Sequence, residues 1–299
     1  KVAGAAETGD RFGHVVAGVN DKTASTHQFF VGAPGEDLKK ITNAGMVNMI
    51  GYREKTNSCG LRTADYTPMD HFHQGRFGII GKKEKYDRVG YALVVGDFNN
   101  DGGIDLAIGA PNEDVGKNDD AGGVNVLMAD VNKDLDYCAE GFTYFNNTAW
   151  SQGNLQGKRK EKEYFGKALA TGDFNGDGVL DIASSSLLDR SYGVYLGNGD
   201  GTFGDRIVAG AADQHLANDV RIGDFNGDGI LDLAGAAFGT HTIGIYLGNG
   251  DGTFGAQMVV DSTASGVRNL ATGDFNGDGV LDLAGAVFDN DLFGVYLGN

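Results

Sequence analysis

Asp173-Phe174-Asn175-Gly176-Asp177-Gly178-Val179-Leu180-Asp181 is the stretch whose reading decides the fold. It returns at Asp224–Asp232 with Ile230 in place of Val, and unchanged at Asp274–Asp282. A looser copy, Asp-Phe-Asn-Asn-Asp-Gly-Gly-Ile-Asp, occupies Asp97–Asp105. Each copy carries oxygen-bearing side chains at positions 1, 3, 5 and 9, and a Gly at position 6, where a tight turn needs a residue without Cβ. Such a loop can wrap a hard cation, with the carbonyl of position 7 joining the side chains. The candidate ligands are Asp97, Asn99, Asp101, Gly103 and Asp105; Asp173, Asn175, Asp177, Val179 and Asp181; Asp224, Asn226, Asp228, Ile230 and Asp232; and Asp274, Asn276, Asp278, Val280 and Asp282. Three carboxylates and an amide per loop suit the six to eight oxygens that calcium prefers, so four calcium sites are expected.

Two other readings compete. An EF-hand needs a Glu at position 12 and helices on both sides. Position 12 here is Ile108, Ser184, Gly235 or Gly285, and the flanks are short apolar runs punctuated by Gly, which read as strands. A metal-free, Asx-rich hairpin explains one copy as well as calcium does, but not the same ligand positions four times over.

Net charge is −17, and twelve of the Asp residues lie in these loops. Four bound dications would bring the net to −9, so much of the acidity is ligand. That balance argues against nucleic acid as a partner. The 41% of apolar residues suffice for a core, and no apolar run approaches a membrane span, so no membrane insertion is expected. The 50 Gly follow no collagen period and serve turns and close approaches. Lys1 is not an initiator Met, which reads as a processed or trimmed chain. Low-affinity calcium loops suit an extracellular medium, so a secreted or cell-surface location is expected. Asn146-Asn147-Thr148 is a lone glycosylation sequon at Asn146. Cys59 and Cys138 permit at most one internal disulfide; both fall in the long insertions between the third and fourth strands of the first two of the units described next.

The repeat is larger than the loop. Phe165–Thr171, Leu180–Ala183, Gly193–Leu196 and Asp205–Val208 read as four strands, with the acidic loop joining the first two. Asn198-Gly-Asp-Gly201 between the last two reads as a hairpin turn. Five such units fit, starting near residues 8, 86, 163, 217 and 266. In unit one the strands are expected at Arg11–Val19, Phe29–Gly32, Gly45–Ile50 and near His71–Phe77. In unit two they are expected at Val89–Val95, Ile104–Gly109, Gly123–Met128 and near Thr148–Leu155. Unit one reads Val19-Asn-Asp-Lys-Thr23 at the loop, with too few carboxylates, and is expected to hold no metal. Periods of this size with four strands each indicate blades around an axis: a single all-β, five-bladed propeller domain over residues 1–299. Unit five lacks a fourth strand, and Lys1-Val-Ala-Gly-Ala-Ala matches Ile207-Val-Ala-Gly-Ala-Ala212 of unit three. Residues 1–6 are therefore expected to close the ring as the last blade's missing strand. Donation of that strand to a neighbouring chain and membership of a larger ring remain open alternatives.

The chain resembles the FG-GAP repeat family, which forms the β-propeller head of integrin α chains and of related bacterial and fungal proteins. Phe12-Gly13 with Gly32-Ala33-Pro34, and Val89-Gly90 with Gly109-Ala110-Pro111, carry both halves of the motif. Units three to five are similar to the shorter VCBS-type variant. The resemblance implies calcium in the loops between first and second strands, on one propeller face. It implies a glycan or protein ligand on the opposite face, in a non-catalytic adhesion, lectin-like or protein-contact role. Integrin heads have seven blades and a β-chain partner, and neither is evident here.

No catalytic constellation is visible, and the chain is not expected to be an enzyme. His71 and His73 are the only close pair of histidines; no third ligand accompanies them, and ordinary packing is the simpler reading. Lys82-Lys-Glu-Lys85 and Lys158-Arg-Lys-Glu-Lys162 read as solvated loops in preference to a polyanion-binding edge. Trp150 and the other aromatics read as core between blades before they read as sugar platforms. Two function classes remain: an extracellular binding module, and a structural subunit joined by strand exchange or blade-face contacts.

Overall fold

The computed structural model describes residues 7, 9–19, 26–56, 62–76, 79, 81–129, 144–150, 162, 164–186, 191–209, 217–237, 242–261, 267–287 and 292–298. Among them it is all β, with strands pairing antiparallel in chain order. Sheet one holds β1 (Val15–Val19), β2 (Thr26–Ala33), β3 (Met46–Thr56) and β4 (Arg62–Phe72). Sheet two holds β5 (Ala92–Gly96), β6 (Asp105–Ala110), β7 (Gly123–Ala129) and β8 (Tyr144–Trp150). Sheet three holds β9 (Leu169–Gly172), β10 (Asp181–Ser186), β11 (Ser191–Gly197) and β12 (Phe203–Ala209). Sheet four holds β13 (Ala217–Gly223), β14 (Asp232–Ala237), β15 (Thr242–Tyr246) and β16 (Met258–Asp261). The fifth sheet has three strands, β17 (Val267–Gly273), β18 (Asp282–Val287) and β19 (Leu292–Tyr296).

Strand alternation gives each sheet two apolar faces, and between consecutive sheets the facing sides pack on one another. In β6, Leu106 and Ile108 pack toward Val47 and Met49 of sheet one. Ala107, between them, turns with Val124 and Val126 toward Ile182 and Tyr195 of sheet three. Tyr192 and Val194 pack on Val220 and Leu233 of sheet four, and Ala234 and Ile243 pack on Leu270 and Leu283 of sheet five. The first strands follow one another in space, β1 against β5, β5 against β9, β9 against β13 and β13 against β17. No comparable contact joins β17 to β1. The arrangement is consistent with a propeller, with the first strand of each sheet innermost.

Several strand limits depart from the sequence reading. β1 and β5 begin at Val15 and Ala92, where strands were expected from Arg11 and Val89. The residues before them make turns, with Arg11 and Arg88 at positive φ beside Gly13 and Gly90. The fourth strand of sheet one is Arg62–Phe72, not His71–Phe77. β3 runs on to Thr56, so its partner is drawn forward, and the pairing extends from Val47↔Phe72 to Thr56↔Arg62. The apparent insertion of unit one is thus largely a lengthened hairpin. The fourth strand of sheet two is Tyr144–Trp150, earlier than Thr148–Leu155. Lys1–Ala6, the first-unit loop at Asn20–Thr23, Cys59 and Cys138 lie outside the described residues. Among the described residues no helix is long and apolar enough to cross a membrane.

Candidate metal centre

The four acidic loops join β5 to β6, β9 to β10, β13 to β14 and β17 to β18, so they share one end of the sheets. Each loop winds its backbone around its own carboxylates. Asp173 Oδ1 accepts the amides of Gly176 (2.7 Å) and Asp177 (3.2 Å), and Oδ2 accepts that of Gly178 (2.9 Å). Asn175 Oδ1 accepts from Asp177 N (3.2 Å), and Asp177 Oδ1 from Val179 N (2.8 Å). The same set recurs around Asp224 and Asp274. The winding needs left-handed backbone at position 6 and also at position 4: Gly176 and Gly178 have φ of 74° and 83°. In the looser loop Asn100 takes position 4 at φ 56°. Asn is among the residues that bear this conformation best, so the loop survives the change.

Position 9 has a second task that the sequence reading missed. Asp181 is fully buried, and its Oδ2 accepts from Phe174 N (2.7 Å) while Oδ1 accepts from Gly197 N (2.8 Å). Asp105, Asp232 and Asp282 repeat this on Phe98 and Ala129, Phe225 and Gly248, and Phe275 and Gly298. The carboxylate therefore ties the loop to the exit of the third strand. Burial, with Asp177 and Asp173 adding repulsion, pushes the Asp181 carboxyl up to about 6. Burial with Asp101 and Asp97 does the same at Asp105.

A cation among the loop carboxylates would relieve the repulsion that Asp173 and Asp177 add at Asp181. Donor chemistry agrees: every candidate ligand atom is a hard oxygen. Asn175 Nδ2 stands 2.8 Å from Asp177 Oδ2, with the same amide-to-carboxylate contact in the other three loops, so a partial positive charge faces this carboxylate each time. Among the described residues no three His, Cys, Asp or Glu groups are placed to hold a metal ion; the loop carboxylates accept from their own loop amides. Asp173 Oδ1 already accepts two amides, so the donor chemistry fits a calcium-type ion only after the Asp and Asn side chains turn their oxygens from the loop amides toward the ion.

The family description of an FG-GAP-like repeat matches residues 173–235 and 224–285, and that of an FG-GAP repeat matches residues 89–127. The chain belongs to the FG-GAP repeat family. The geometry shows what its two glycine motifs do. Gly13 N donates to Gly32 O (3.0 Å), and Gly90 N to Gly109 O (3.1 Å), which ties the turn before β1 to β2 and the turn before β5 to β6. Across the joint, a Cβ added to Gly32 would stand 2.1 Å from Gly90 O, and one on Gly109 would stand 2.0 Å from Gly166 O. The GAP glycine of one FG-GAP sheet is therefore seated on the carbonyl of the corresponding FG glycine of the next.

Asp200 Oδ1 accepts both Thr202 N (2.9 Å) and Thr202 Oγ1 (2.5 Å), with Gly199 and Gly201 at positive φ, so Asn198–Gly201 is the expected hairpin turn. His71 and His73 have ring centroids 5.6 Å apart, but Arg76 donates to His71 Nδ1 (2.9 Å) and pairs with Asp70 (2.8 Å). A guanidinium on the imidazole opposes a metal there, and burial lowers both histidines' pKa. Asn146 lies on β8. Asp219, which sequence reasoning passed over, is buried on β13 and accepts from Leu270 N of β17 (2.7 Å). Arg221 pairs with it (3.1 Å) and donates from Nε to Leu270 O (2.7 Å), so this pair joins sheets four and five. No turn or motif signal marks Asp219.

Proposed function

We propose that this FG-GAP chain is an extracellular, calcium-stabilised propeller of five blades that binds a glycan or protein ligand and catalyses no reaction. The observation that supports it is the repetition, in all four loops, of one oxygen donor set around a buried position-9 Asp. Without a cation, the loop carboxylates repel one another; an ion bound only by the folded chain stabilises it by mass action. The ligand surface would be the face opposite the loops. Differential scanning calorimetry of the full chain with calcium and with excess chelator tests the calcium part. A fall in Tm of roughly 10 °C or more is expected for several sites acting together. An unchanged melting curve would overturn it. A glycan array, read with calcium present, tests the ligand part.

A second reading, self-assembly, is favoured by one specific observation. Phe293 of sheet five is 77% exposed, whereas its counterparts Tyr192 and Ile243 in sheets three and four are 1% and 0% exposed. An apolar blade face without a neighbour is a site for contact between chains. Sedimentation of the full chain over a concentration series distinguishes the two readings.

A further inference from the structure

At the end of the innermost strands opposite the acidic loops lies a cavity of about 560 Å3, lined by all five sheets. Equivalent positions at the strand starts supply His14, Tyr91, Lys167, Asn218 and Arg268. Arg11 and Arg221 add two more guanidinium groups. Among the described residues lining the cavity one carboxylate, Asp219, accompanies these four cations, and it is already held by Arg221 and by the amides of Val220 and Leu270. In a chain of net charge −17, the axis therefore carries a local positive excess.

We propose that this axial cavity binds a small ligand carrying a carboxylate, sulfate or phosphate group. The volume is that of an ordinary small-molecule site. While Arg221 is engaged with Asp219 and Leu270 O, the Arg11 and Arg268 guanidinium groups, from sheets one and five, line the cavity with planar donors suited to an oxyanion. The Lys167 ammonium, hydrogen-bonded to Asn218 Oδ1 (2.5 Å), adds a point charge between them. Tyr91 and His14, with ring centroids 4.5 Å apart, and the Asn218 amide offer a partly apolar, hydrogen-bonding wall for the rest of the ligand. The charge balance is independent support. Lys167 is pushed down to about 8, first by burial and then by Arg268 and Arg88, and no acidic group offsets that repulsion. His14 is lowered by burial, then by Arg11 and Arg88. Like charges gathered in a concave, partly desolvated place are stabilised by an anion among them.

The proposal names a ligand chemistry for the binding-module reading and rests on that reading only in treating the sheets as a scaffold. The test is a calorimetric titration of the full, calcium-saturated chain with sodium glucuronate, glucose 6-sulfate, inorganic sulfate and inorganic phosphate, with glucose as the uncharged control. At least one charged probe is expected to bind, more weakly as salt rises, and glucose is expected not to bind. Arg268→Gln and Lys167→Met should each weaken binding by about 10- to 100-fold, the effect of losing a charge-assisted hydrogen bond. Melting curves of both variants without ligand confirm that they are folded, and Arg268→Lys should recover part of the loss. Free sulfate or phosphate binding as tightly as the sugars would identify a simple oxyanion site; tighter sugar binding would identify an acidic saccharide. Absence of binding by every charged probe, equal binding of glucose, or binding unmoved by both substitutions overturns the proposal. A null result here leaves the chelator experiment untouched, so the two failures are separable.

Discussion

Single residues in the loops have separable roles. Asp177 is exposed and its side chain serves the loop alone, whereas Asp181 is buried and holds two amides from different segments. Asp177→Ala is expected to reduce calcium stoichiometry by one, while the chelated protein loses about 0.5 kcal/mol or less. Asp181→Ala should lose the same site and also leave Phe174 N and Gly197 N unpaired, which costs roughly 2–5 kcal/mol even under chelation. Calorimetric stoichiometry and chelated-state melting, taken together, check the contrast. Glu113 gives a pH prediction at the same scale. Burial, then Asp87 and Glu84, raise it from 4.5 to about 8. Gln74 Oε1 and Asp87 Oδ1 beside it have no hydrogen-bond partner, so a proton held on Glu113 is a donor in a place short of donors. A raised carboxyl contributes stability that is full below about pH 4.5 and lost as pH rises toward 8, because the unfolded chain releases its proton earlier. Tm in saturating calcium should therefore decline between pH 5 and 9, and Glu113→Gln should flatten that decline by about 2–6 °C. Parallel pH profiles for the two proteins would refute it.

At the scale of elements, the sheets are set by backbone approach as much as by side chains. Gly109 is seated against Gly166 O, and neither backbone can give way without moving a strand. Gly109→Ala should cost about 1–3 kcal/mol or more by overpacking. Gly204→Ala, whose Cβ would meet only Leu196 O at 3.6 Å, is the matched control and should be nearly neutral. Equal melting temperatures for the two variants would mean that the close joint is not a constraint. The acidic loops were legible because one pattern recurs with Gly at the strained positions, and the order of strands followed from it. The strand starts were not. Arg11, Arg88 and Tyr164 hold the left-handed positions before sheets one, two and three, and neither Arg nor Tyr announces a turn. The extended β3–β4 hairpin was also hidden, since its length shows only in the pairing from Val47 to Thr56. Likewise Arg11, Lys167, Arg268 and the Asp219–Arg221 pair belong to four different sheets far apart in sequence, and only the convergence of the sheets brings them together.

At the scale of the molecule, the question is what meets sheet five. Its far face repeats a joint used three times before. Phe98, Phe174 and Phe225 are buried at that position, yet Phe275 is 53% exposed. Sheet one shows the other half of the same joint: Val16, the counterpart of the buried Leu93, Leu169, Val220 and Leu270, is 57% exposed. The two open faces are therefore complementary halves of one kind of interface, and an edge strand beside β19 cannot by itself cover a face. By its match to unit three, the amino-terminal segment aligns Lys1–Ala3 with Ile207–Ala209, which pair with Val194, Gly193 and Tyr192 of β11. On β19 the corresponding partners are Val295, Gly294 and Phe293. Edge and face can thus be tested separately. Deleting residues 1–6 removes the proposed edge strand, and Phe293→Asp spoils the face. If the chain closes on itself, both variants remain monomeric and melt lower, by about 2–4 °C for each kcal/mol lost. If copies join head to tail, both variants dissociate an assembly that the parent chain forms in sedimentation. Closure within one chain is the expected result, because the segment's tether keeps its local concentration high. A monomeric parent whose stability neither change lowers would show that the segment closes no edge and that Phe293 has no partner within this chain.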